Sequence, residues 1–210
     1  MTYETVARDL RAIRDLKTAG IDRYNKQLIR SGADVSGLQS YALRDQLVHR
    51  TYFQVSLAYC KTAQEQLEFI EKNEDLLQDW WHVDQLTQFI KKPVDFQFAY
   101  EKAAQYVRSP KTFTRRWGYV LFLTGLQKDA ACTEKILELM HDDPEYYVQM
   151  AQAWLICDLA VFNPEAVYAF LQNSKLHYSI LGKAIQKISD SFRFTPEQKE
   201  AFKALRERLR

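Results

Sequence analysis

Apolar residues recur along this chain at intervals of three and four, the period of an amphipathic helix, and runs of strict alternation are absent. Val6, Leu10, Ile13 and Leu16 predict a first helix over 3–18, with Gly20 as its stop. A short helix over 22–31 ends at Gly32. Ser36 then caps a long helix to about Lys61, whose stripe is Leu38, Ala42, Leu47, Val48, Tyr52, Val55 and Tyr59. Thr62-Ala63-Gln64-Glu65 reads as a capping box that opens the next helix. Asn73 is the expected cap of a helix carrying LLQDWWHVDQLTQFI, residues 76–90, which Pro93 closes. Asp95 caps a helix to about Arg108, Ser109-Pro110 breaks the chain, and a helix over 112–126 follows. Beyond Lys128 the pattern predicts helices over 129–142, 145–161, one opened by Asn163-Pro164-Glu165, one over 178–191, and a polar last helix opened by Thr195-Pro196-Glu197-Gln198.

Helices of this length with short breaks come in pairs of roughly 35–40 residues, the spacing of HEAT-type helical hairpins. The expectation is an all-α protein: an α-solenoid of HEAT-like hairpins with a concave groove, one domain over 1–210. In such a stack the second helix of each pair lines the groove. The helices carrying Trp80 and Asp84, Arg115 and Arg116, and Trp154 each fall in that second place.

Composition narrows the classes. At 210 residues, 47% hydrophobic and a mean hydropathy of -0.41, the chain reads as a water-soluble globular protein. Six glycines and five prolines are too few for a β-protein that must turn often. The opening MTYETVARDL carries acids and no apolar core, so no leader is expected, and no uncharged run approaches a membrane span. Cys60, Cys132 and Cys157 are odd in number and scattered. They are expected to be buried free thiols in a cytoplasmic protein with no metal site and no cofactor.

Net charge is +2, but its distribution is uneven. From Arg108 to Lys128 there are five bases (Arg108, Lys111, Arg115, Arg116 and Lys128) and no acid; from Asp129 to Glu165 there are eight acids and one base, Lys135. A block of this kind is most often a solvated face, yet it also suits directional binding of a polyanion.

Trp80 and Asp84 stand four residues apart, so an indole and a carboxylate share one helical face. Taken alone, that spacing is equally a core tryptophan beside a solvated acid, and Trp154 in MAQAWLICDLA has the flanks of a core residue. Arg115 and Arg116 point a helical step apart, so one of them at most faces a groove. Trp117 and Tyr119 read as packing. His82 is of the residue type that titrates near neutrality, but one histidine two residues from an aspartate is weak evidence of acid–base chemistry.

WWHVD at 80–84, RRWGYVLFL at 115–123 and VQMAQAWLICDLAVFNPEAVYAFL at 148–171 resemble the three signature segments of AlkD-type DNA alkylation repair proteins. The resemblance runs from about Asp75 to Leu171 and is weak before Ser36. It implies a HEAT-like fold and, in active members, hydrolysis of the N-glycosidic bond of cationic alkylated purines. By that likeness Trp80 and Trp154 line the groove at the damaged nucleotide's sugar, Asp84 is the catalytic carboxylate, and Arg116 contacts the DNA backbone. Arg115, Lys111 and Arg108 are the further candidates for contact with double-stranded DNA, by a monomer. Independent chemistry agrees. Loss of a cationic base leaves oxocarbenium character that a carboxylate stabilises, indole faces favour cations, and an arginine fork matches phosphate.

Four positions depart from the family pattern. Trp81 and His82 replace smaller or acidic residues, and Met150 and Cys157 stand where active members carry bases. The segment before Ser36 is short for a helix pressed on the duplex. Three readings follow: an alkylpurine DNA glycosylase, a relative that recognises damaged or distorted DNA without excision, and a protein-binding scaffold with a vestigial site.

Overall fold

The computed structural model describes residues 1–14 and 16–209, and among them it is all-helical, with thirteen α-helices, short 3-10 turns and no strand. The chain divides into two compact units, Met1–Val94 and Asp95–Arg210.

The first unit is built around α3 (Gln46–Tyr59), which touches α1 (Tyr3–Arg11), α2 (Thr18–Arg30) and α6 (Leu86–Phe89); α4 (Ala63–Lys72) and α5 (Trp80–Asp84) complete it. Val48, Phe53, Val55 and Leu57 of α3 are fully buried, with Val6, Leu10, Leu67, Val83 and Leu86 around them. Several boundaries differ from the sequence expectation. The first helix ends at Arg11 and the second begins at Thr18, so Gly20 lies inside α2 and does not stop α1. A Cβ at Gly20 would come within 2.9 Å of Ile13, which explains the small residue there. The long helix expected from Ser36 is a 3-10 turn, Ser36–Tyr41, followed by α3, because Asp45 accepts the Leu47 and Val48 amides and starts a new helix. Thr62 caps α4 as expected, accepting the Glu65 amide, while the Glu65 carboxylate reaches the Lys61 amide.

The second unit contains α7 (Phe96–Tyr106), α8 (Thr112–Val120), α9 (Thr133–Leu137), α10 (Tyr146–Phe162), α11 (Pro164–Asn173), α12 (Tyr178–Asp190) and α13 (Pro196–Arg208). Here α8, α10 and α12 pack side by side in one row, while α7 lies on α8, α11 on α10 and α13 on α12. Asn163 caps α11 with Pro164 in its first turn, and Thr195 and Gln198 form a complete capping box on α13. Gly118 lets α8 approach α7, since a Cβ there would meet the Val107 side chain at 2.7 Å and the Val107 nitrogen at 3.0 Å. The helix expected over 112–126 gives way to 3-10 turns after Val120, and Gly125 takes a φ of 130° that L side chains rarely adopt. Trp117 and Tyr119 are packing residues, 1% and 0% exposed.

No helix among the described residues is long and apolar enough to cross a membrane. All three cysteines are unpaired, but only Cys157 is buried; Cys60 and Cys132 keep partial exposure, contrary to the expectation of three buried thiols.

Candidate functional site

In the first unit the WWHVD segment is a single helical turn, not the middle of a helix over 76–90. Its cap is Asp79, whose carboxylate accepts the Trp80 amide at 2.7 Å. Asn73, the expected cap, is buried and spent elsewhere: its side chain donates to the Phe69 carbonyl and accepts from Tyr52 and Gln39. At the other end the Thr87 hydroxyl donates to the Asp84 carbonyl at 2.8 Å, a side-chain bond that competes with helix continuation. Asp84 therefore sits at the end of a turn and keeps partial exposure.

Trp80, Trp81 and Asp84 border an open pocket of about 410 Å3, facing Leu47 and Arg50 of α3. Trp80 is 46% exposed, the burial of a surface indole and not of a core one. Arg50 was not anticipated. Its guanidinium binds Asp22 at 2.8 Å, Gln88 at 3.1 Å and Gln85 at 3.3 Å, and lies 4.9 Å from the centre of the Phe89 ring. One arginine thus joins α2, α3 and α6 beneath the pocket. It stands in the apolar run after Leu47 with Gln46 and Gln54 one turn away on either side, and a buried base with no acid one turn away is the signal that it needs a distant partner.

His82, weighed above for acid–base chemistry, is part of a buried stack. The His82 ring lies on His49, with centroids 3.9 Å apart and planes within 11°, and the Trp81 ring meets His49 edge-on at 5.1 Å. His49 accepts from the Gln85 amide at Nδ1 and pairs with the Leu76 carbonyl at Nε2, while His82 Nδ1 accepts the Gln78 amide. Burial first, and then neighbouring His82, pushes His49 down to about 3; burial pushes His82 down to about 4 against the opposing pull of Asp79. Both rings are neutral at pH 7, and they lock the WWHVD turn onto α3.

This depression has a sign. In the unfolded chain both imidazoles take up protons below about pH 6.5, whereas the folded protein resists protonation until about pH 4, so stability falls as pH falls through that window. Urea titrations at pH 7 and pH 5 should show the loss. A His49→Leu variant should be weaker at pH 7 yet show a shallower pH dependence. Equal slopes in the two proteins would show that the pair does not carry the effect.

In the second unit the basic residues divide into two kinds. Arg108 and Lys111 are exposed at the turn between α7 and α8. Arg115 is spent inside: Nε and Nη2 grip Asp143 at 2.7 and 3.2 Å, and Nη1 donates to the carbonyls of Ser109 and Pro110. Arg116 is 4% exposed and donates to the Tyr147 carbonyl at the start of α10. Trp154 keeps partial exposure in the middle of α10, though Ala153 and Leu155 beside it are fully buried.

The family model described as DNA alkylation repair enzyme matches residues 13–188. No curated protein and no solved structure matched significantly. The family match covers most of the chain, including every candidate residue above, and the protein belongs to the DNA alkylation repair enzyme family.

Proposed function

We propose that this protein is a HEAT-like α-solenoid that binds double-stranded DNA and recognises alkylated or distorted nucleotides, with Asp84 as the carboxylate directed at the lesion. The observation that carries this reading is the pocket wall made by Trp80, Trp81 and Asp84, where a half-exposed indole and a partly exposed carboxylate stand one helical turn apart. A protein core does not need such a pair at its surface. A cationic purine and its sugar do, since the indole face attracts positive charge and the carboxylate stabilises an oxocarbenium centre. Trp154 supplies the second aromatic surface. Arg108 and Lys111 supply phosphate contacts, while Arg116 holds the start of α10 through the Tyr147 carbonyl.

The reading separates from a protein-binding scaffold by lesion preference. A duplex carrying one alkylated purine should bind several-fold more tightly than the same duplex unmodified, and Trp80→Ala should remove most of that preference while leaving binding to the unmodified duplex in place. Equal affinity of the wild-type protein for the two duplexes would remove lesion recognition from the reading.

A further inference from the structure

Along α10, Tyr146, Tyr147, Met150, Trp154 and Val161 keep exposure on one face, with Gln149 and Phe162 also exposed towards the helix ends and the remaining residues buried. Both α8 and α12 pack against α10. The α12 side is rimmed by cations. Lys183 Nζ lies 4.8 Å from the centre of the Tyr146 ring. Lys187 lies one turn on in α12; burial pushes the neighbouring Cys157 thiol up to about 11, against the smaller opposing pulls of Arg193 and Lys187. Arg193, in the turn after α12, reaches back to Cys157 Sγ at 4.0 Å and pairs with Asp158, one turn beyond Trp154. Beside it Phe192 is 93% exposed, the most exposed large apolar side chain described.

Acids border this rim as well. Asp158 is the anchor that orients Arg193, and Asp190 accepts from Gln186 and lines the cleft between α12 and α13. Asp142 and Glu145 are exposed before α10, at the far end from Arg193 and nearer Lys183: Asp142 accepts the His177 amide at the start of α12, and Glu145 precedes the Tyr146 ring that Lys183 covers. Arg193 lies beyond the matched family segment, which ends at residue 188.

We propose that Lys183, Lys187 and Arg193 form a second line of DNA-backbone contacts, across Trp154 from Arg108 and Lys111, and that Phe192 stacks on a nucleotide at its end. Aromatic faces interleaved with cations are the pattern of a nucleic-acid surface. A surface for an acidic protein would use the charges alone and leave a fully exposed phenyl ring without purpose. This inference rests on the DNA-binding reading, and the two are separable by experiment.

The measurement is the affinity for a fluorescein-labelled DNA duplex as a function of salt. Removing two lysines in Lys183→Gln/Lys187→Gln should weaken binding about tenfold at low salt and lower the slope of log affinity against log salt by roughly two, at about 0.9 per phosphate contact. Arg193→Gln, which retains a donor for Asp158, should lower the slope by about one. Phe192→Ser should weaken binding by about tenfold with the slope unchanged, since stacking releases no counterion. If the wild-type protein binds DNA and the double lysine variant keeps its affinity and slope, this inference fails alone. If the wild-type protein does not bind DNA, the function proposed above fails with it.

Discussion

Arg115→Ala is expected to lower the free energy of unfolding by about 3–5 kcal/mol, the cost of leaving a buried charge without its partner. The Asp143 side chain is 3% exposed and Arg115 13%, so neither reaches bulk water when the other is lost. Two parallel bonds from one guanidinium to one carboxylate hold the pair, and two further donations tie it to the backbone before α8. Adding Asp143→Asn to Arg115→Ala should recover part of the loss, because the orphaned charge is then gone. Chemical denaturation of the four proteins measures the cycle. A loss below about 1 kcal/mol would mark the pair as an ordinary surface bridge.

Asp84→Asn is the second large effect. Departure of a cationic base neutralises the base and places positive charge on the sugar, so a carboxylate stabilises the transition state more than the ground state. An amide of the same shape lacks that charge. Where excision proceeds through Asp84, release of free alkylated base should therefore fall about a hundredfold or more in Asp84→Asn, with the thermal unfolding midpoint retained; no release from the wild-type protein at high concentration would sink a glycosylase assignment. Retention is expected because Asp84 ends a helical turn, keeps partial exposure and is replaced by an amide of the same shape. Equal release from both proteins would exclude Asp84 as the group that acts on the sugar.

What could be read from the sequence divides along physical lines. Helix identity was legible nearly everywhere, because apolar periodicity is a local property. Boundaries were less so where two caps competed. Asn73 and Asp79 are both good caps by type, and the choice fell to Asp79 because the Asn73 amide is claimed by Phe69, Tyr52 and Gln39. The break after Asp84 comes from Thr87 reaching back to its carbonyl, a contact no periodicity records. The Trp80–Asp84 pair was visible as a spacing. Its supports were not: Arg50 and its partners Asp22, Gln85 and Gln88 lie 28 to 38 residues apart in the chain. His82 illustrates the converse. Its type suggested titration near neutrality, and its burial, where it stacks on His49, is what keeps it neutral. The cluster of bases from Arg108 to Lys128 was countable, but which of them stay at the surface depended on Asp143 and Tyr147.

The most direct measurement of the account is equilibrium binding of the wild-type protein to a duplex bearing one alkylated purine, repeated across a range of salt concentrations. The account predicts binding whose logarithm falls linearly with the logarithm of salt, with a slope of several, as cations displace the counterions of the phosphates. Affinity no greater than that of an acidic control protein, or binding indifferent to salt, would contradict it and leave the scaffold reading in its place.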